Sequence, residues 1–358
     1  MLNELELIRA LSDAFGPSGF EDDVVRIVRE QAADLGDIEE DCLRNVYIRR
    51  KENKGNRPVI MLDAHGDEVG FMVHSVRPNG LLRFVNIGGW NLNTLSSADV
   101  LVRNSLGEYI PGIIAAKPVH FQTAAEKAAG GVSEISALSI DIGACSREEA
   151  IRDFHIRIGE PIVPATRLRV DEGKGLLFGK AFDCRIGVAA MLKTLDALRG
   201  VELPCDVVAV LSSQEEVGER GAKVAVNRVK PDCAWVFEGT PADDTFTEPY
   251  AIQTALRKGP MFRHMDRTVI CTPRYMRFVT DLAEREGIPM QTAVREGGGN
   301  NGAVILTSLE AVPVVVAGIP VRYIHSMNCI AALEDFRSAV ALSVQALRQL
   351  TPELIRGF

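Results

Sequence analysis

The chain alternates between two hydrophobic textures. V-I-M-L-D-A (59–64), D-V-V-A-V-L (206–211), A-W-V-F (234–237) and V-P-V-V-V-A-G-I-P (312–320) are apolar almost throughout. They have the length of strands and the unbroken hydrophobicity of strands covered on both faces. Asn45 to Arg49 reads as a further short strand. Between these runs, apolar residues recur at helical spacing: after Asp183 through Ile186, Ala189, Ala190, Leu192 and Leu195, again near Gly221–Val226, over Asp281–Glu286, and in a closing helix from Leu333 to Leu350. Near the start, Ser18 and Glu21 have the spacing of a capping box, which predicts a helix beginning there.

From about Phe71 to Pro164 the texture changes. Short alternating runs such as F-M-V-H-S-V, L-L-R-F-V-N-I-G-G-W and A-L-S-I-D-I-G are broken by glycines and turns. They predict a small β-rich module and not strand-helix-strand units. The expected fold is α/β: a mixed, mostly parallel central sheet flanked by helices, with an inserted, barrel-like β domain. Residues 1–70 and 165–358 would form the α/β domain and 71–164 the insertion.

A length of 358 residues gives ample core for that plan, and 46 % hydrophobic with 25 % charged residues is ordinary for a globular protein. The net charge of -8, without any basic run, argues against nucleic acid or a membrane surface as partner. No stretch is apolar for long enough to span a bilayer, and M-L-N-E-L-E-L-I-R-A lacks the marks of a signal peptide. Seven scattered cysteines without a C-x-x-C pair suit reduced thiols. The expected compartment is the cytoplasm.

The strands place chemistry at their ends, where ligands of open α/β sheets bind. The first run delivers His65, with Asp67 two residues on, a spacing that lets a carboxylate orient a metal-binding imidazole. The 206–211 run leads to the adjacent acids Glu215 and Glu216, of which one could hold a metal while its neighbour handles a proton. The 234–237 run ends at Glu238, and the last strand leads to R-Y-I-H-S with His325. Asp183 precedes a helix and has an equally good reading as its N-cap. Each residue has an ordinary structural explanation, as do His120, the A-A-G-G-V-S segment after Glu126 and the G-G-G loop after Glu296. Taken jointly, two imidazoles and three carboxylates, with Glu215 left over, are the donor set of two zinc-like ions sharing one carboxylate.

G-P-S-G-F-E, H-G-D-E-V-G-F, G-K-A-F-D-C-R-I-G, S-S-Q-E-E-V-G-E-R-G-A and R-Y-I-H-S follow one another in an order and spacing that resemble the TET-type dinuclear zinc aminopeptidases, the glutamyl and deblocking aminopeptidase family. The resemblance spans the chain. It implies that His65 and Glu238 bind one divalent metal ion and Glu216 and His325 a second, with Asp183 bridging, Glu215 as general base and Asp67 supporting His65. Zinc is the expected ion, with cobalt or manganese as alternatives. It also implies short peptide substrates and a homododecamer assembled from dimers through the insertion. Cys184, Glu238 and Asn300-Asn301 depart from the family's usual Asp, Asp and Thr-Asp, the last change removing a negative charge near the expected substrate pocket.

The competing readings are a hydrolase of other small amides on the same scaffold (N-acyl amino acids or sugar-linked amides), a metal-free glycoside hydrolase using an acid pair, and a non-catalytic assembly protein.

Overall fold

The computed structural model describes residues 1–124 and 134–358. The apolar runs become the middle of one large sheet. Its strands begin with β1 (Gly36–Glu40), β2 (Val46–Arg50) and β3 (Val59–His65). The chain then leaves the sheet for β4 (Gly70–Val76), β5 (Leu82–Ile87), β6 (Asp99–Arg103), β7 (Tyr109–Ile114), β8 (Ile140–Asp141) and β9 (Pro161–Pro164). It returns with β10 (Arg169–Asp171), β11 (Leu176–Gly179), β12 (Asp206–Ser212), β13 (Cys233–Pro241), β14 (Met261–Met265), β15 (Gln291–Val294), β16 (Val314–Arg322) and β17 (Cys329–Ala332).

Across the sheet the order is β1-β2-β12-β3-β13-β16-β17-β11-β10, with β14 beside β16 and β15 beside β14. The four central strands β12, β3, β13 and β16 are parallel, and their flanks are antiparallel apart from the β14–β15 pair. Helices cover the sheet: α1 (Glu4–Asp13), α2 (Asp22–Ala32), and, after α3 (Arg147–Arg152) of the inserted segment, α4 (Phe182–Ala197), α5 (Arg220–Val229), α6 (Pro273–Glu286), α7 (Gly302–Leu306), α8 (Leu333–Gln349) and α9 (Pro352–Arg356). Strands β4 to β9 close into a separate barrel, in the order β4-β5-β8-β7-β6-β9, around its own core of Phe71, Phe84, Val100, Val102 and Ile162. The α/β class and the barrel-like insertion are therefore both present. Among the described residues no helix is long and apolar enough to cross a membrane.

The middle strands are buried on both faces because helices cover each side, which is why they read as unbroken apolar runs. Trp235 lies fully buried and meets Phe262 edge-on at 5.2 Å. Helix α4 packs on β3 and β13 and is itself flanked by α1 and α8. Burial on all these sides accounts for its nearly uniform hydrophobicity.

Several local expectations are corrected. Helix α2 begins at Asp22 without a side-chain cap, and no capping box forms. Ser18 instead donates to Asp67 Oδ2 at 2.6 Å, and Glu21 Oε1 accepts the amides of Gly19 and Gln214 at 2.9 and 3.1 Å. A distant acceptor for Ser18 and a distant donor for Glu21 win over the local pattern. Strand β12 stops at Ser212, so Glu215 and Glu216 stand in the following turn, whereas β13 runs three residues past Glu238. The run at 312–320 is not the last strand, since β17 follows, and α9 follows the closing helix.

Candidate metal centre

Parallel register brings the candidate residues to one edge. Ser212 pairs level with His65, and Val236 with Asp63, so His65 and Glu238 lie two residues beyond one rung. Asp183 enters from the start of α4. It is not an N-cap: Ala181 occupies that position, and Asp183 itself has non-helical angles. Its carboxylate instead faces both imidazoles. Oδ1 is 3.0 Å from His65 Nε2, and Oδ2 is 3.2 Å from His325 Nε2.

Around this shared carboxylate the other acids divide. Glu238 Oε2 lies 3.6 Å from His65 Nε2, and Glu216 Oε1 lies 3.4 Å from His325 Nε2. Glu215 Oε2 is 3.9 Å from His65 Nε2. The donor atoms of His65, Asp183 and Glu238 lie within 4.8 Å of one another, as do those of Asp183, Glu216 and His325. Buried Oε1 atoms of both Glu216 and Glu238 have no hydrogen-bond partner, since the 3.4 Å approach of His325 lacks hydrogen-bond geometry. A buried carboxylate oxygen without a donor is costly. Two such atoms on either side of a shared carboxylate, beside imidazole nitrogens, fit a pair of divalent cations in kind and number of donors.

The electrostatics point the same way. Burial opposes charging His65, yet Cys184, Glu215, Asp183 and Asp67 outweigh it and hold the imidazole well above its ordinary pKa. His325 is likewise raised against burial, by Asp183 and Glu216. Burial pushes Glu215 well above the usual carboxylate range, with His65 opposing and Glu238 and Glu216 adding. It raises Glu238 to about 7. Asp183 is depressed instead, because both imidazoles overcome its burial, and Asp67 is lowered against its burial by His65 and Ser18. Too many buried acids for the cations present is the condition that a bound metal relieves.

Asp67 ties the centre together. Its Oδ1 and Oδ2 accept the amides of Glu215 and Glu216 at 3.0 and 3.1 Å, besides the Ser18 hydroxyl. His65 Nδ1 sits 3.1 Å from the Asp67 carbonyl and 3.4 Å from its carboxylate. The main chain thus makes the closer contact with the ring, and the carboxylate chiefly fixes the Glu215-Glu216 turn. Non-glycine residues in left-handed backbone cluster at this edge: Ala181, Gln214, Glu219, Tyr323 and His325. Such conformations cost energy and gather where function requires a particular aim.

Residues invisible to the sequence reading complete the frame. Lys180 Nζ contacts both oxygens of Glu68 at 2.6 and 2.7 Å, and Arg185 NH2 approaches the same carboxylate at 3.1 Å. Arg185 also donates to the carbonyls of Gly66, Leu11, Ala14 and Gly16. Two cations flanking Asp183 in an otherwise apolar segment were the available signal, because a buried cation needs an acid. Cys184 donates to the Phe237 carbonyl at 3.0 Å. Asn300 and Asn301 do not line the cavity. Both are buried beneath it, Asn300 on Asp266 and Asn301 on Asp63 and Ser212. His120 is exposed, on a short 3-10 helix (Val119–Phe121), and does not line the cavity. Glu126 and 128–133 fall outside the described residues.

The centre forms the floor of a cavity of about 730 Å³, walled by Glu219, Pro241, Arg263, Arg295, Glu296 and the Gly297–Gly299 loop. The family model described as M42 glutamyl aminopeptidase matches residues 45–342, and the chain belongs to that family of metal-dependent peptidases. It is a peptide-bond hydrolase of the aminopeptidase type. The glutamyl aminopeptidase of Lactococcus lactis subsp. cremoris is 31 % identical over 351 residues, covering 97 % of each chain. The TET aminopeptidase of the marine sediment archaeon Thaumarchaeota archaeon SCGC AB-539-E09 superposes with a TM-score of 0.94 at 35 % identity, over 99 % of each chain. The TET1 peptidase of Pyrococcus horikoshii, which can assemble into a tetrahedron or a large octahedral shell, does so with 0.87 at 27 % identity, over 97 % of this chain and 100 % of that one.

Proposed function

We propose that this chain removes the N-terminal residue from short peptides by a two-cation mechanism. His65 and Glu238 would hold one divalent ion and Glu216 and His325 the other, with Asp183 between them. Mixed imidazole and carboxylate donors suit zinc, with cobalt and manganese as alternatives. Such a pair supplies Lewis acidity toward the scissile carbonyl and acidifies water. Glu215 stands on the same turn as Glu216 but farther from the imidazoles and borders the cavity. Its carboxylate accepts the proton of the attacking water and passes it to the leaving amine. Asp67 holds the Glu215-Glu216 turn and His65 in mutual register.

One observation carries this reading. A single carboxylate engages two imidazoles through opposite oxygens, while the acid beside each imidazole keeps a buried oxygen without a donor.

The same reading takes 1–70 and 165–358 as the catalytic domain and 71–164 as a dimerisation and lid element of a homododecamer built from dimers. The assembling P. horikoshii relative supports self-association, as do the exposed apolar residues Leu106, Tyr109 and Ile113 on the barrel. Seven unpaired cysteines suit a cytoplasmic location, which cell fractionation would check.

Glu215→Gln is the direct test. It should keep two ions per chain by elemental analysis while lowering aminopeptidase turnover about 10²- to 10⁴-fold. Undiminished turnover would overturn the base assignment, and one ion per chain the paired centre. Light scattering that reports a monomer would overturn the assembly.

A further inference from the structure

We propose that the cavity wall beside the metal centre is a subsite for a cationic N-terminal side chain, lysine or arginine, with Glu219 as the recognising carboxylate. This inference rests on the aminopeptidase reading and names its substrate class.

The wall carries four charged residues, Glu219, Arg263, Arg295 and Glu296. Taken as a bare list they look balanced, and the two arginines would suit an acidic substrate. Their partners decide otherwise. Arg263 is 5 % exposed and gives NH1 to Asp266 at 2.8 Å and NH2 to Thr240 at 3.1 Å. Arg295 gives NH1 to Asp243 at 2.9 Å and NH2 to the Pro241 carbonyl and the Thr254 hydroxyl. Each guanidinium is committed to a carboxylate behind the wall, so each pair presents little net charge to a ligand. Asp266 is held in turn by Thr268, Val269 and Asn300, which leaves it no freedom to release Arg263.

Glu219 differs in both charge and backbone. Its side chain makes no hydrogen bond or ion pair among the described residues, although it is half-buried. It sits at φ 56°, ψ 32°, immediately before α5, in the left-handed region where a side chain other than Asn or Asp is unfavourable. Glycine would occupy that position without strain. A carboxylate there is strained, unpaired and on the cavity rim, with Oε1 close against Gly299 of the loop that forms the opposite wall. Glu296, exposed on the same loop, adds a second unpaired negative charge. Once the two internal ion pairs are set aside, the wall facing a substrate side chain is anionic. An acidic N-terminal residue, as in the name of the L. lactis relative, would meet Glu219 and Glu296, while both arginines among the described lining residues already face an aspartate.

L-Lysine against L-norleucine isolates the ammonium group, since the side chains are otherwise alike. With N-terminal lysine, norleucine and glutamate p-nitroanilides, the metal-loaded wild type should favour lysine over norleucine by about tenfold or more in kcat/KM, and glutamate should be the poorest. Glu219→Gln should bring the lysine-to-norleucine ratio to about one, and Glu219→Lys should move glutamate above lysine. Calorimetric binding of the free amino acids gives an independent readout with the same expected ratios. Hydrolysis with no lysine preference, a ratio unchanged in Glu219→Gln, or a wild-type preference for glutamate would overturn the subsite while leaving the peptidase intact. Lysine-selective binding that Glu219→Gln abolishes, without hydrolysis of any anilide, would sustain the subsite and overturn the peptidase reading.

Discussion

The two imidazoles of the centre are held in opposite ways. His65 ends a central strand and is 1 % exposed. Its Nδ1 is fixed by its own chain two residues on. His325 stands in a loop at φ 55°, with a side chain 34 % exposed. Its Nδ1 meets the carbonyl of Gly89, which belongs to the segment joining β5 to β6 of the barrel. One half of the centre is therefore built by the sheet and its buried ion pairs. The other half depends on a module that the sheet does not contain. Disturbing the frame under His65 should cost global stability, whereas disturbing the Gly89 segment should cost only the His325 half.

The largest effect is expected beneath His65. Lys180 is 2 % exposed and supplies Glu68 with two hydrogen bonds directly after Asp67. Lys180→Met leaves that acid with Arg185 alone, and removing one partner of a buried pair costs about 3–5 kcal/mol. Denaturant unfolding should show the loss as a lower midpoint at unchanged slope. The pH dependence carries a second signature. Burial lowers the Lys180 pKa from 10.5 to about 8, against the pull of Glu68. Between those values the unfolded chain binds the extra proton, so this residue's contribution to stability grows as pH rises from 8 toward 10.5 and is lost as pH falls through 8. Subtracting Lys180→Met from wild type cancels other titrating groups. The difference should change by about 1–3 kcal/mol over that window, and a flat difference would refute the depressed value.

Asp67→Asn tests the joint between the halves. The asparagine keeps the volume but has one acceptor oxygen where the aspartate offers two, and those two receive the Glu215 and Glu216 amides. Loss of a group that orients ligands typically weakens metal affinity by about 10- to 100-fold. Competition with a chromogenic chelator should show that weakening for the ion that Glu216 would hold at least as strongly as for the one proposed beside His65. Selective weakening at His65 would mean that the carboxylate serves the ring more than the turn.

The same contrast explains what the amino-acid order disclosed. Strands buried on both faces advertise themselves as unbroken apolar runs, so the middle of the sheet, with His65 and Glu238 on it, was legible from local pattern alone. His325 was legible through its motif, since nothing periodic marks a loop histidine. Asp183 was ambiguous because an acid before a helix serves equally as a cap, and only its two imidazole neighbours settle where it points. Ser18 was misread for a related reason: its local partner Glu21 is present, but Asp67, 49 residues away, competes successfully for the hydroxyl. Gly89 and His325 are 236 residues apart, and a contact through a backbone carbonyl leaves no trace in residue type. The barrel announced its strands but not their closing order, which depends on long-range pairing such as β4 with β9.

The smallest effect should come from Gly89, and it bears most directly on the dependence of His325 on the barrel. A Cβ at this position would lie 3.4 Å from His325 Nδ1, an ordinary contact, so Gly89→Ala should be almost silent. Gly89→Val adds two methyl groups against the ring and must turn it away from either Gly89 or Asp183. Displacing a ligand without removing it should weaken one of the two cation-binding steps about three- to tenfold, less than deletion of an orienting group would. Because the glycine lies on the rim and not in a core, the unfolding midpoint should stay within the range of ordinary surface substitutions, about 0.5 kcal/mol. Stepwise metal titration of both variants, read beside their denaturation curves, distinguishes the cases. If Gly89→Val shifts both binding steps equally, the imidazoles act as one rigid unit and the barrel does not govern half of the centre. If only one step weakens, the inserted module sets the geometry of the ion proposed at His325.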